Sequence, residues 1–498
     1  MLKIQVGHSY FLRYDPKQWE RGKPYPPLAT LHTAALLRQL GHEVALFDAM
    51  LAAGVEDYET SLRAARPDVV VLYEDNFNFL TKMCLARMRE AACRMISEAR
   101  ACGATVIVAG SDASDQPAAF LRAGAHAVLQ GEGIAALTEL IRRLDQDPTA
   151  DAGNLVSAIP GVASLARNEI QLQRIGARPP DPALAIRPAW DLVDIERYRQ
   201  MWQQRQGYFS LNMAASRGCP FRCNWCAKPI WGNHYRQLGA QDMAAEISYL
   251  KQTFAPDHIW MADDIFGFHV DWVTQFAAHL HAAGGSIPFT IQTRADLISE
   301  RMATALKDAG CAEAWIGAES GSQRVLDAMT KGTQVAELIE ARRRLGRQGI
   351  RVGFFIQLGY LGEQLADILA TRRLIEQAAP DDIGVSVSYP LPGTKFYEQV
   401  KAQLGAKTHW QDSDDLTMMF HSAYDSQFYR NVRDLLHEQI LLQQSGAAQP
   451  SAARSAHEAK WDLLVAIERD HRTASPPDQT SPQIFSERLR HAALPQNH

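Results

Sequence analysis

The chain has 498 residues, 46% hydrophobic and 21% charged, with a net charge of −5. This is ordinary globular text, and it excludes a disordered or collagen-like chain and a protein built to coat nucleic acid. At about 150 residues per domain the length allows roughly three domains. No apolar run reaches the ~18 residues that a membrane span needs. The opening residues 1–7 read as a strand and not as a signal peptide, so a cytoplasmic enzyme is the expectation.

Residues 1–145 alternate short apolar runs with helical text. Strands are expected at 3–7, 43–48, 68–73, 105–109 and 127–130, with an amphipathic helix over 28–40 that Gly41 ends. Strands separated by helices imply a Rossmann-like, doubly wound parallel sheet, whose ligands bind beyond the carboxyl ends of the strands. No Gly-x-Gly-x-x-Gly opens a helix after the first strand, which argues against a dinucleotide. Residues 146–205 change character. A hairpin is expected over 162–166 and 169–173, followed by a stiff linker around Arg178-Pro179-Pro180-Asp181-Pro182.

From 206 to 400 a second alternation predicts strands at 208–214, 257–262, 289–293, 313–317, 353–358 and 384–388. Six strand–helix units are too few for an eightfold barrel, so a partial (β/α)6 barrel is expected, with its chemistry at the carboxyl ends of the strands. Residues 401–443 read as a helical C-terminal segment, in which Trp410, Phe428 and Tyr429 either shape a pocket or form the apolar face of a lid. Residues 444–498 read as a largely disordered tail, with one candidate helix near 458–469.

Seven cysteines in a chain this long do not make a disulfide framework. Cys84, Cys93, Cys102 and Cys311 are scattered and read as packed thiols. Cys219, Cys223 and Cys226 fall within eight residues, just after the first strand of the second domain. Three thiolates on one loop suit three corners of a cubic iron–sulfur cluster. Zinc usually takes two separated ligand pairs and remains the alternative. The absent fourth ligand implies an open coordination site, which is a site for chemistry.

The Cys-x-x-x-Cys-x-aromatic-Cys spacing resembles that of radical S-adenosylmethionine (radical SAM) enzymes. The resemblance implies a [4Fe-4S] cluster on Cys219, Cys223 and Cys226, with S-adenosyl-L-methionine (SAM) chelating the fourth iron. One electron, supplied by an external reductant of flavodoxin or ferredoxin type, then yields a 5′-deoxyadenosyl radical. Further text is similar to the family's: Met261-Ala262-Asp263-Asp264, Gly317-Ala318-Glu319-Ser320, Gly359-Tyr360-Leu361-Gly362-Glu363 with Leu361 where Pro is usual, and Pro392-Gly393-Thr394. It implies that Trp225, Asp263, Asp264, Glu319 and Ser320 hold SAM. On the bland reading Trp225 is core, the two aspartates cap a helix and Glu319 is structural. Arg294, after the third strand, is left open between a carboxylate partner and a surface ion pair.

The first domain resembles the cobalamin-binding domain that precedes the radical core in one large subfamily. The matching text includes Tyr25-Pro26-Pro27-Leu28, Val108-Ala109-Gly110-Ser111 and Gly131-Glu132-Gly133. Tyr25, Leu28, Gly110, Ser111, Gly131 and Glu132 are therefore the implied cobalamin contacts, against the alternative of ordinary tight turns. The Asp-x-His-x-x-Gly that supplies a cobalt-ligating histidine elsewhere is absent. His8, His32 and His126 read as packed or solvated. The combination implies a cobalamin-dependent radical methyltransferase acting on an unactivated carbon or phosphorus centre of a small molecule. A radical cyclase or rearrangement enzyme, such as the porphyrin-ring cyclases, and an iron–sulfur electron carrier are the alternatives. Nucleic acid is not an expected partner.

Overall fold

The structure is a computed structural model describing residues 1–77, 86–147, 155–156, 158–173, 185–226, 233–405, 416–445 and 451–473. Cys84, the linker around Pro180, the text 409–415 with Trp410, and residues 474–498 lie outside the described residues.

The chain builds two sheets. The first contains β1 (Lys3–Gly7), β2 (Glu43–Phe47), β3 (Val69–Tyr73), β4 (Thr105–Ala109) and β5 (Ala127–Leu129), extended by the hairpin β6 (Val162–Ala166) and β7 (Glu169–Leu172). Its order is β2-β1-β3-β4-β5-β6-β7, parallel through β5 and antiparallel beyond. All five residues of β3 are buried, as expected of a central parallel strand covered on both faces. The chain leaves β1 toward β2 on one side and β3 on the other, so a switch point lies at the carboxyl ends of β1 and β3.

The second domain begins with β8 (Ser210–Met213). A two-stranded antiparallel ribbon follows, β9 (Ser216–Arg217) paired with β10 (Arg236–Gln237). Then come β11 (His258–Met261), β12 (Phe289–Thr293), β13 (Cys311–Glu319), β14 (Arg351–Leu358) and β15 (Asp382–Val387). The large strands are all parallel and lie in sequence order, β15-β14-β13-β12-β11-β8: a partial (β/α)6 barrel. Local signals fix its helices. In Glu300–Ala309, the Ser299 side chain accepts from Met302 N, Gly310 closes the end at φ 95°, and Met302, Leu306 and Ala309 are buried on one face. Burying a side chain such as Leu306 contributes about 2 kcal/mol.

Two segments differ from expectation. The helix Ile195–Gln206 stands where a linker was expected. Its anchors Ile195, Tyr198 and Trp202 follow helical spacing inside Arg- and Gln-rich text. Trp202 Nε1 donates to Pro24 O at 2.6 Å, and Tyr198 OH to Asp48 at 2.6 Å. In the tail beyond Gln443 the helix expected near 458–469 is present and starts earlier, at Ser451. Helix Ser451–Ala466 and the turn Glu468–His471 fold back, because Trp461 and Leu464 give them an apolar anchor, 1% and 3% exposed. Phe428 and Tyr429 are fully buried on the helix Ser426–Gln444, so they are its packed face and not pocket walls. Among the described residues, no helix is long and apolar enough to cross a membrane.

Candidate functional site

The short β9–β10 ribbon pinches the base of a loop that carries Cys219, Cys223 and Cys226, all half-buried and in no disulfide. Asn224 anchors this loop to the barrel. Its backbone N donates to Met329 O at 3.0 Å, its side chain donates to Ala328 O at 2.7 Å, and Tyr360 OH donates to its Oδ1 at 2.8 Å. Trp225 packs against the core, with its indole Nε1 buried and unpartnered among the described residues. Phe221 meets Phe268 edge to face, and Tyr235 lies tilted against Phe268, at centroid distances of 5.9 and 5.1 Å. Among the described residues, no three His, Cys, Asp or Glu side chains gather where one ion could sit. A cube asks instead for thiolates spread over separate irons.

The carboxylates expected to hold SAM are otherwise engaged. Asp263 is 1% exposed and accepts from Ala215 N at 3.1 Å and from the Ser216 hydroxyl. Burial pushes its carboxyl up to about 7. It braces the turn from β8 into the cysteine loop, while Asp264 stays half-buried beside it. Glu319 is buried against Lys331, with Nζ to Oε1 2.7 Å. Its φ of 60° is a left-handed conformation that costs roughly 1–2 kcal/mol outside glycine. Ser320 is fully buried, its hydroxyl 3.3 Å from Thr371 Oγ1 and accepting from Ser322 N at 3.1 Å. In this arrangement the Asp263 and Glu319 carboxylates and the Ser320 hydroxyl are paired within the protein.

Arg294 pairs with the Asp296 carboxylate and is set against the cysteine loop. Its Nη1 lies 3.7 Å from Cys223 Sγ, and its guanidinium lies 3.7 Å over the Phe221 ring. Lys331, Asn224 and Tyr360 were missed: Asn224 and Tyr360 find partners 104 and 136 residues away, and Lys331, 12 residues from Glu319, belongs to no motif. Glu363, after β14, is also buried. It accepts from Gly359 N at 2.6 Å, and burial pushes it up to about 8, so it is protonated at neutral pH. It lines a cavity of about 530 Å³ with Gln364, His421, Ser422, Tyr424 and Thr473; among the described residues, none of the cysteine loop lines that cavity.

At the first sheet, the implied cobalamin contacts divide. Leu28 is fully buried in the core at the start of its helix. Tyr25 sits at the domain junction, its hydroxyl 3.2 Å from Ser210 Oγ. Gly110 has φ 155°, and a Cβ there would meet Glu74 at 2.8 Å. Gly131 N donates to Ser114 Oγ at 3.0 Å. Ser111 Oγ is buried and unpartnered among the described residues, as are His8 Nδ1, Asn76 Nδ2 and Gln130 Nε2. All four lie just past the carboxyl ends of β1, β3, β4 and β5. His32 and His126 are spent on backbone, Nδ1 meeting Ile186 O at 3.0 Å and Val106 N at 2.8 Å respectively. Glu132 accepts from Arg217 Nη1 at 2.8 Å, and its carbonyl accepts from Tyr73 OH at 2.7 Å. Arg217 stands two residues before Cys219 and also lies 5.3 Å from the Phe77 ring. The strand ends of the first sheet thus meet the root of the cysteine loop.

Residues 213–375, from the end of β8 into the helix after β14, match the radical SAM superfamily. The chain carries a radical SAM domain. An uncharacterized methyltransferase of Pyrococcus horikoshii is 23% identical, over 76% of this chain and 79% of its own length. The hopanoid C-3 methylase of Methylococcus capsulatus is 24% identical, over 77% and 70%. The fold is shared with the radical SAM methyltransferase TsrM from Kitasatospora setae, solved with cobalamin and a [4Fe-4S] cluster bound. That match has a TM-score of 0.63 and 18% identity over 82% of this chain and 79% of TsrM. It is shared also with the cobalamin-dependent radical enzyme OxsB, solved with aqua-cobalamin and SAM, at a TM-score of 0.68 and 15% identity over 99% and 75%. Both likenesses reach across the radical SAM domain into the first sheet.

Proposed function

We propose that the protein is a cobalamin-dependent radical SAM methyltransferase acting on an unactivated carbon or phosphorus centre of a small molecule. The observation that carries the reading is the Glu132–Arg217 contact, which joins the ligand-binding edge of the first sheet to the root of the cysteine loop. A radical source and a methyl carrier must face one substrate, and a contact between these two segments supports that reading. The relatives named methyltransferases support it.

The residues present fit the groups. Cys219, Cys223 and Cys226 would hold a [4Fe-4S] cluster, and Trp225 Nε1 offers a buried donor beside it. Buried polar atoms are nearly always hydrogen-bonded in finished structures. His8 Nδ1, Asn76 Nδ2, Ser111 Oγ and Gln130 Nε2 therefore suit the polar rim of a corrin or its tail. When bound, the cluster and SAM supply a substrate-activating radical, and cobalamin carries the methyl group. The chain's own part is positional. Asp263 and Asn224 fix the cysteine loop, the Phe221–Phe268–Tyr235 cluster shields it from water, and Arg217 keeps the domains in register. A reductant of flavodoxin or ferredoxin type completes the proposal.

The test is SAM labelled in its methyl group, supplied with cobalamin and candidate substrates under strong reduction. Label in the product supports methyl transfer. A product that forms with 5′-deoxyadenosine but without label would replace it with a cyclase-type reaction. That outcome has a relative behind it: the anaerobic magnesium-protoporphyrin IX monomethyl ester cyclase of Synechocystis is 26% identical over 45% of this chain.

A further inference from the structure

Arg294 is held as a rigid bracket. It is 5% exposed. Its Nε donates to Asp296 Oδ1 at 2.9 Å, and Nη2 donates to Asp296 Oδ2 at 3.0 Å, Lys331 O at 2.8 Å and Thr333 Oγ1 at 3.0 Å. Phe221 covers the guanidinium face. The remaining nitrogen, Nη1, points at Cys223 Sγ, 3.7 Å away, within hydrogen-bonding range for sulfur. Five donors in a planar fork let arginine bind a carboxylate and still reach a second acceptor.

We propose that Arg294 is a positioning residue that hydrogen-bonds the Cys223 thiolate and thereby raises the reduction potential of the cluster this loop holds. The inference rests on the cluster assignment made under Proposed function. Hydrogen bonds to cluster sulfurs and nearby positive charge stabilise the more negative, reduced state. The step concerned is the one-electron reduction of the cluster from 2+ to 1+. The electron comes from an external one-electron donor, and no bond is made or broken. The bracket matters because an untethered guanidinium would turn away from sulfur toward water.

The experiment is a redox titration, followed by electron paramagnetic resonance, of anaerobically reconstituted full-length protein without SAM or cobalamin. It compares wild type, Arg294→Gln, Arg294→Lys and Thr333→Val, with iron and sulfide content measured for each. Arg294→Gln is expected to lower the reduced-to-oxidised ratio at a fixed potential about tenfold, a negative shift of about 59 mV for one electron. Thr333→Val, which loosens the bracket and keeps the charge, shifts the ratio in the same direction by less. A purely structural role would lower iron content and leave the potential of the loaded fraction unchanged, and that result overturns the proposal. If Arg294→Gln takes up no iron, Arg294→Lys and Thr333→Val decide the matter: unchanged ratios in both overturn it. Wild type that assembles no cluster refutes the reading under Proposed function instead.

Discussion

Replacing Lys331 with Met removes the ammonium group that lies 2.7 Å from Glu319 Oε1, where both side chains are 6% exposed. Breaking one partner of a buried pair costs about 3–5 kcal/mol, because the other charge stays buried. In a domain of this size 1 kcal/mol moves the melting temperature by roughly 2–4 °C, so a loss on the order of 10 °C is expected. Melting curves of anaerobic apoprotein at one pH and one scan rate read this directly. The Glu319→Gln/Lys331→Met double variant should recover most of the loss, because it removes the stranded carboxylate with the ammonium. A double variant as destabilised as Lys331→Met alone would refute the argument from a stranded carboxylate.

Three further outcomes are expected. Cys219→Ala, Cys223→Ala or Cys226→Ala should each abolish iron uptake, while Cys311→Ala keeps it, because Cys311 is a packed thiol, 2% exposed, in β13; iron and sulfide assays on all four decide this. Asp263, held up at about 7 in the apoprotein against an ordinary 3.8, contributes stability that is full below pH 3.8 and is lost as pH rises through 7. The amplitude is about 4 kcal/mol at most, and Asp263→Asn should flatten that part of the melting-temperature profile. Trp461→Ala removes the anchor of the C-terminal fold-back at a cost of about 3–5 kcal/mol; limited proteolysis should then release residues 451–473 before the barrel is cut, and equal protease resistance of variant and wild type would count against a docked tail.

The strands were legible because buried parallel strands are continuous apolar runs bounded by turns, and Val69–Tyr73 needed no tertiary information. The cysteine triplet was legible for the same reason, since its chemistry lies within eight residues. Helix Ile195–Gln206 was hidden because three anchors carry it while the rest of it is mostly Arg and Gln. The braces around the site were illegible because they exist only once the barrel has closed. Asp263 meets Ser216 across 47 residues, and Arg294 meets Cys223 across 71. Spacing could place carboxylates at strand ends, as it did for Asp263, Glu319 and Glu132. It could not show that Ser216, Lys331 and Arg217 already occupy them.

The most direct test of the account is the formation of 5′-deoxyadenosine. Wild type and Cys223→Ala are reconstituted anaerobically with iron and sulfide, given SAM, cobalamin and a strong one-electron reductant, and their products quantified. The account predicts 5′-deoxyadenosine from wild type and none above background from Cys223→Ala. A wild-type protein with a full complement of iron and sulfide that reduces its cluster yet leaves SAM uncleaved would contradict it.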